Sequence, residues 1–389
     1  MFIKSIIFTV STLASTALAL DVPLHLKNEC EEVTVDCEKN IFGYKKNPFC
    51  TTTKEVRCED RQAVLHLPPG YKNEKLPLVI NLHALLSNNV LQQDYSGFDD
   101  LADKEKFLVV YPNGYTVGGN LGLLESIAQE WVESIQQKFP DTAITPLSWN
   151  AGGCCPNASG ERTDDISFLR KLLNRIIHET SKDLNFKVDE ERIYVTGMSN
   201  GGFMSHRVAC EMSDVIAAAA PVAGVLMESE ATRLLSGKSD PFTCKPTKPV
   251  PILQMHNELD VFVPYPGNPF LGFPSVDDTV EKWAKINGVL DTEQVVVYDD
   301  RAETHFTQTQ TICTSYAPET SNTVSVCRMR TGALVFVHCW PGQGLGQCSD
   351  KLGNEHIWDF FSNYTLSGFV GKEESHPPHS SENSHSGDL

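Results

Sequence analysis

The chain has 389 residues, 41% of them hydrophobic and 21% charged, with a formal net charge of −18. This is a globular composition, long enough for one large domain or two ordinary ones. Its acidity argues against nucleic acid or an anionic membrane surface as partner.

Residues 1–19 read as a secretory signal. Lys4 supplies the charge, Ile6 to Ala14 an apolar core too short to span a bilayer, and Ala17-Leu18-Ala19 a small-x-small cleavage site. No later segment is long and apolar enough to cross a membrane, so a soluble, secreted chain is expected. All 12 cysteines follow the signal, and an even number in an exported chain predicts disulfides. Metal ligation would want tight Cys-x-x-Cys pairs or clustered histidines, which the body of the chain lacks, so neither metal nor cofactor is expected. Asn157-Ala158-Ser159 and Asn363-Tyr364-Thr365 are glycosylation sequons if the source is eukaryotic.

Residues 20–60 hold Cys30, Cys37, Cys50 and Cys58 in a polar stretch with little apolar periodicity, which predicts a small disulfide-rich extension stapled by its own two bridges. A hydrolase-like body follows over 61–368. Ala63 to Leu67 is a strand, Pro68-Pro69-Gly70 a turn, and Leu78 to Leu82 a strand buried on both faces. Leu101 to Lys104 reads as helix, and Phe107 to Tyr111 as another buried strand closed by Pro112-Asn113-Gly114. Residues 119–146 carry Leu124, Ile127, Trp131, Ile135 and Phe139 at helical spacing, a packed surface insertion in preference to a lid. Asp164 or Thr163 caps a helix running through Ile177. Ile216 to Ala223 and Val250 to His256 are strands, Val276 to Asn287 a helix, Ala333 to Val337 a late strand and His356 to Asn363 a closing helix. The tail, 369–389, is Ser, His, Glu and Pro with almost nothing to bury, and is expected to be disordered. Strands alternating with helices predict an α/β class, a mainly parallel sheet covered by helices on both faces.

Between these elements lies the stretch around which the chain is organised, Ile193-Tyr194-Val195-Thr196-Gly197-Met198-Ser199-Asn200-Gly201-Gly202. A buried strand, a sharp Gly-x-Ser-x-Gly turn and a helix make a nucleophile elbow. Ser199 stands proud of the sheet, Gly197 and Gly201 leave room for close backbones, and the Asn200 N–H faces charge developing on a substrate carbonyl. A serine hydroxyl needs a base, and the base an orienting carboxylate, which follow the serine as acid and then histidine. Asp260, just past the strand Val250 to His256, and His338, opening the turn His338-Cys339-Trp340-Pro341-Gly342, fit that order. The competitors are Glu258, close enough to Asp260 to exchange roles, Asp277 and Asp278, which look like helix caps, His356 on a helix, and His256, which reads as structural.

Residues Arg61 to Leu366 resemble the secreted esterases of the polyhydroxybutyrate depolymerase and feruloyl esterase group, which is carbohydrate esterase family 1-like. The resemblance rests on Leu82-His83, Tyr95-Ser96-Gly97-Phe98, Val110-Tyr111-Pro112-Asn113-Gly114, Ser148-Trp149-Asn150-Ala151-Gly152-Gly153-Cys154-Cys155 and Asp164-Asp165. It continues through Gly197 to Gly202, Ala219-Ala220-Pro221-Val222-Ala223-Gly224, Asp260 to Tyr265 and His338 to Gly342. It implies an α/β-hydrolase with Ser199 as nucleophile, His338 as base and Asp260 as acid. The oxyanion donors it implies are the N–H groups of Asn200 and Leu85, and the substrate is an ester, feruloyl or acetyl on polysaccharide or a polyhydroxyalkanoate polyester. Trp149 and Trp340 flank this site and are candidate substrate-stacking residues, with wall packing as the alternative.

Two positions depart from the group. His83-Ala84 stands where His-Gly is usual, and a positive φ there would cost Ala84 about 1 kcal/mol or shift the turn. Val335-Phe336-Val337 precedes His338 where glycines are common. Cys339 beside His338 resembles the tannase-like esterases, but Met198 precedes Ser199, which excludes their histidine-to-serine disulfide. The rival readings are a secreted serine peptidase of related fold and a binding protein on an inactive hydrolase fold.

Overall fold

Alternating side chains of the central strands split between two buried faces, which is what a sheet covered on both sides requires. Leu78, Ile80 and Leu82 pack into one apolar cluster with Val110 and Val195, whereas Val79, Val109, Tyr111 and Tyr194 pack into the other. The computed structural model describes residues 19–35, 53–116, 147–154, 163–228, 242–301, 310–330, 338–342 and 353–371. The signal, Cys37, Cys50, the insertion 119–146, Asn157, the strand predicted at Ala333 to Val337 and the tail beyond 371 lie outside the described residues.

Strands β1 (Leu20–Val35), β2 (Thr53–Leu67), β3 (Lys75–Leu82) and β4 (Leu108–Pro112) form the first part of the sheet. A two-stranded ribbon, β5 (Tyr115–Thr116) and β6 (Leu147–Ser148), stands apart from it. The sheet continues with β7 (Lys187–Met198), β8 (Ala218–Val222), β9 (Ile252–Asn257), β10 (Gln294–Asp299), β11 (Gln310–Tyr316) and β12 (Val324–Arg330). The order is β1-β2-β4-β3-β7-β8-β9-β12-β11-β10. From β4 to β12 the neighbours are parallel, and an antiparallel pair closes each edge. This is the α/β-hydrolase arrangement, a mostly parallel sheet with helices. From β3 the chain crosses to β4 on one side, and β7 then lies on the other. Such a switch point opens a crevice at the carboxyl ends of the strands. Pro77 interrupts the β3–β7 ladder, whose register shifts between Leu76 and Leu78, because proline has no N–H to donate.

Six helices of eight or more residues are described: α1 (Asn89–Ser96), α2 (Phe98–Glu105), α3 (Asp165–Arg175), α4 (Asn200–Glu211), α5 (Val276–Ile286) and α6 (Asn354–Ser362). Asp164 caps α3, accepting the Ser167 N–H at 2.9 Å. Ser275 and Asp278 close a capping box on α5. Asp277, expected as a cap, instead accepts from the Tyr265 hydroxyl and Arg328. No helix among the described residues is long and apolar enough to cross a membrane.

Two expectations change here. The boundary set at residue 60 falls inside β2, since β1 and β2 pair as one long hairpin whose Leu24 and Leu26 enter the core. Val22, Leu24 and Leu26 do alternate with Pro23, His25 and Lys27, a short strand signal hidden by the polar residues that follow. The register sets Cys30 opposite Cys58. The antiparallel edge β10–β11 was not foreseen either, because β10 leaves Val295, Val296 and Val297 exposed and lacks any buried alternation. Disulfides join Cys210 to Cys244 and Cys313 to Cys327, and no described cysteine is free.

Candidate active site

Gly-x-Ser-x-Gly makes a sharp turn because α4 must pass close over the end of β3. A Cβ on Gly201 would lie 2.2 Å from the Leu82 carbonyl oxygen, and one on Gly197 would lie 2.7 Å from that of Gly201. Ser199 between them is held at φ 54°, ψ −119°, a conformation that costs an L-residue of order 1–3 kcal/mol and is held by its surroundings. Its N–H donates to Val222 O of β8 at 2.9 Å, while the residue itself remains half-exposed. Ser199 Oγ has no hydrogen-bond partner among the described residues.

Asp260 lies in the turn after β9 and is buried. Its Oδ1 accepts the N–H groups of Phe262 and Val263, each at 2.9 Å. Its Oδ2 accepts Nδ1–H of His338 at 2.7 Å, across 78 residues of sequence. An imidazole that donates from Nδ1 carries its free lone pair on Nε2, the atom a general base uses. The Phe262 ring packs beside that of His338, 5.3 Å between centroids.

The competitors are resolved by position. Glu258 is exposed, while Asp277 and Asp278 belong to α5 and its cap. His356 on α6 lies 3.5 Å from Cys327 Sγ, beside the Cys313–Cys327 disulfide. His256 is fully buried behind Asp260, as a structural histidine would be.

The turn after β3 is fixed from several sides. Gly114 N–H donates to His83 Nε2 at 2.9 Å, so that nitrogen is the acceptor and Nδ1–H donates to Ala84 O at 2.7 Å. The Trp149 indole donates to His83 O at 3.1 Å. Leu86 N–H donates to Leu147 O, while the Leu85 N–H has no partner among the described residues. The positive φ in this turn, 62°, belongs to Leu86 and not to Ala84, so the expected penalty at Ala84 does not arise.

Trp149 and Trp340 are corrected as stacking residues. Both have 0% exposure, so neither face can meet a substrate. Trp149 stacks near Phe168, and its backbone N–H and C=O bind both ends of the Asn200 side-chain amide at 2.7 and 3.0 Å. Trp340 donates its indole N–H to Asn354 at 2.7 Å and packs edge-on against Phe98, anchoring the segment that presents His338. Both are the wall packing that a large ring with one polar handle favours. Sequence reasoning gave Asn200 only its backbone N–H; the motif offers no sign that its side chain ties α4 to residue 149. Asn363, in the second sequon, ends α6 half-buried, with its amide donating to Asp359 O at 2.5 Å.

Burial holds His83 neutral, with a pKa lowered to about 4, lowers that of His206 to about 3, and moves that of His256 in the same direction. The unfolded chain would bind a proton at each near pH 6.5 and the folded chain does not. Their contribution is therefore complete above pH 6.5 and is lost as pH falls, at about 1.4 kcal/mol per pH unit for each group. Urea midpoints are expected to decline steadily from pH 6.5 to pH 4, and a His83→Gln variant to show a shallower decline. Equal slopes for the two proteins would contradict the neutral, buried state of His83.

No protein-family model matches the chain. Feruloyl esterase B of Piromyces equi is 30% identical over 237 residues, 59% of this chain and 36% of that protein. Poly(3-hydroxyalkanoate) depolymerase C of Paucimonas lemoignei is 27% identical over 214 residues, 55% of this chain and 40% of that one. The bifunctional acetylxylan esterase/xylanase XynS20E of Neocallimastix patriciarum is 23% identical over 297 residues, 76% and 32%. The chain spans about a third to a half of the length of the curated relatives it matches. Among solved structures, the acetyl xylan esterase from Aspergillus awamori aligns with a TM-score of 0.43 at 12% identity, over 78% of this chain and 94% of that one. Feruloyl esterase and poly(3-hydroxyalkanoate) depolymerase are names of the group that the motifs resemble.

Proposed function

We propose that this relative of feruloyl esterases and polyhydroxyalkanoate depolymerases is a secreted carboxylic ester hydrolase working through an acyl-enzyme. The observation that carries the reading is the 2.7 Å bond from His338 to a buried, fully held Asp260, together with the strained serine at the carboxyl end of β7. Ser199 Oγ attacks the ester carbonyl while His338 Nε2 takes its proton, and Asp260 holds the imidazole in the correct tautomer and stabilises the imidazolium. The N–H groups of Leu85 and Asn200 hold the oxyanion, the second with the added field of the α4 N-terminus. His338 then protonates the leaving alcohol, and water repeats the cycle on the acyl-enzyme. The reaction requires Ser199 Oγ to come within hydrogen-bond reach of Nε2, a bond that such sites often complete only in the substrate complex. The mechanism needs no cofactor or metal.

The substrates proposed are feruloyl or acetyl esters on plant polysaccharide, or a polyhydroxyalkanoate polyester, following what the relatives' names say of those proteins. Export after removal of residues 1–19 and glycosylation at Asn157 and Asn363 are part of the same reading. A fluorophosphonate should label the wild-type protein and leave Ser199→Ala unlabelled; equal labelling of both would sink the nucleophile assignment. Methyl ferulate, acetylated xylan and polyhydroxybutyrate, assayed side by side, then identify the acyl group. Turnover of aminoacyl amides with none of esters would favour a peptidase.

A further inference from the structure

Behind Asp260, four fully buried side chains from three elements join in one hydrogen-bonded series. The Trp283 indole N–H of α5 donates to His206 Nδ1 of α4 at 2.9 Å. His206 Nε2 meets Gln254 Oε1 of β9 at 3.0 Å. Gln254 Nε2 donates to Gly224 O at 2.9 Å and meets His256 Nδ1 at 3.3 Å. His256 Nε2 meets Val263 O at 2.7 Å and lies 3.6 Å from Asp260 Oδ2. Gln254 and His256 point to the same face because they are two residues apart on one strand.

The two ends of the series fix the direction of every bond, since the Val263 carbonyl can only accept. An indole N–H can only donate, so His206 Nδ1 accepts and its proton is on Nε2. Gln254 Oε1 then accepts, and its amide N–H groups donate to Gly224 O and His256 Nδ1. His256 must therefore carry its proton on Nε2, where it donates to Val263 O. That carbonyl ends the turn whose Phe262 and Val263 N–H groups hold Asp260. The series also runs from α4, the helix that starts at Ser199, to the turn that carries the acid. Burial favours a neutral imidazole at each place, and at His256 it outweighs the neighbouring Asp260 carboxylate.

We propose that His256 is a positioning residue: its Nε2–H, oriented through Gln254 and His206 by Trp283, holds the 260–263 turn so that Asp260 meets His338. This rests on the reading of Asp260 and His338 as acid and base, and extends it to side chains that touch no substrate. Were His256 in the other tautomer, an Nε2 lone pair would face the Val263 carbonyl and the Asp260 carboxylate, and the turn would move away.

The test compares His256→Gln, His256→Asn and Trp283→Phe. The glutamine amide reaches about where Nε2 lies and retains the donor, whereas the asparagine amide reaches only the Nδ1 position and loses it. Two readouts are taken, p-nitrophenyl acetate kinetics and the proton NMR resonance of the His338 Nδ1–H, identified by its loss in His338→Ala. His256→Asn is expected to lower kcat about 10- to 100-fold with KM little changed, the scale of a displaced catalytic group. It should also shift or broaden the resonance. His256→Gln should recover most of the loss in both, and Trp283→Phe, which removes the polarity-setting donor but keeps most of the volume, should move the resonance in the same sense as His256→Asn. An unmoved resonance and wild-type kcat in folded His256→Asn would overturn the proposal, as would equal losses in the asparagine and glutamine variants. If His256→Asn does not fold, an unmoved resonance in Trp283→Phe overturns it alone. If the wild-type protein hydrolyses no ester, the reading of its function fails, while the resonance still decides whether His256 positions the pair.

Discussion

Asp260→Asn is expected to lower kcat for ester hydrolysis by about 10⁴-fold with the fold retained. The carboxylate accepts on both oxygens: Oδ1 takes the Phe262 and Val263 N–H groups, and Oδ2 takes His338 Nδ1–H. An amide can accept on only one side. With its oxygen toward the two backbone donors, Asn presents N–H to His338 Nδ1, which must then accept. The imidazole proton moves to Nε2, and that nitrogen can no longer take the proton of Ser199. The turn keeps its two backbone bonds, so stability should change little while chemistry stops. Kinetics on p-nitrophenyl acetate, with thermal unfolding as control, check this; a kcat within tenfold of wild type would remove Asp260 from the reaction.

The second large effect concerns stability. Asp165→Asn should lower the unfolding free energy by about 3–5 kcal/mol, because it removes the carboxylate that faces a buried guanidinium. Arg61 Nη1 on β2 meets Asp165 Oδ1 on α3 at 2.5 Å, and both side chains are buried. Asp165 Oδ2 also accepts the Asn150 N–H at 2.6 Å, and the guanidinium lies 4.4 Å from the centroid of Phe168. One carboxylate thus ties β2, the first turn of α3 and the segment that carries Trp149. Arg61→Met with Asp165→Asn should lose less than the sum of the two single changes, since removing both charges leaves none uncompensated. Urea denaturation at a constant m-value measures all three variants, and an additive double variant would deny the coupling.

His66 shows how such ties depend on pH. Burial alone would lower its pKa, but Asp99, Asp21 and Asp103 together outweigh burial and raise it. Its imidazolium joins β1 to α2 through Asp21 and Asp103, at 2.7 and 2.9 Å. This stabilisation is present below the unfolded pKa near 6.5 and is lost as pH rises through the raised folded value, opposite in sign to the contributions of His83 and His206.

What could be read from residues in order was whatever the chain's own periodicity dictates. The short apolar runs Leu78 to Leu82 and Phe107 to Tyr111 placed two central strands. Asp164 before an apolar helical run placed a cap, and Gly197-x-Ser199-x-Gly201 placed the elbow, because a strand turning into a helix over a neighbouring strand tolerates no Cβ there. Asp260 and His338 could be picked out by following strand ends. Tertiary structure alone decided the rest, since it depended on partners far away in sequence. Trp149 and Trp340 look like substrate platforms until Asn200, 51 residues off, and Asn354, 14 off, bury them in the wall. The positive φ of the turn after β3 falls on Leu86, not Ala84, where the Leu86 N–H meets the distant Leu147 carbonyl. The proton on His256 is set by the Val263 carbonyl on one side and, through Gln254 and His206, by Trp283 on the other. A local pattern records which face of an element is buried; the hydrogen bonds of a buried polar group are settled only by the groups that folding brings opposite it.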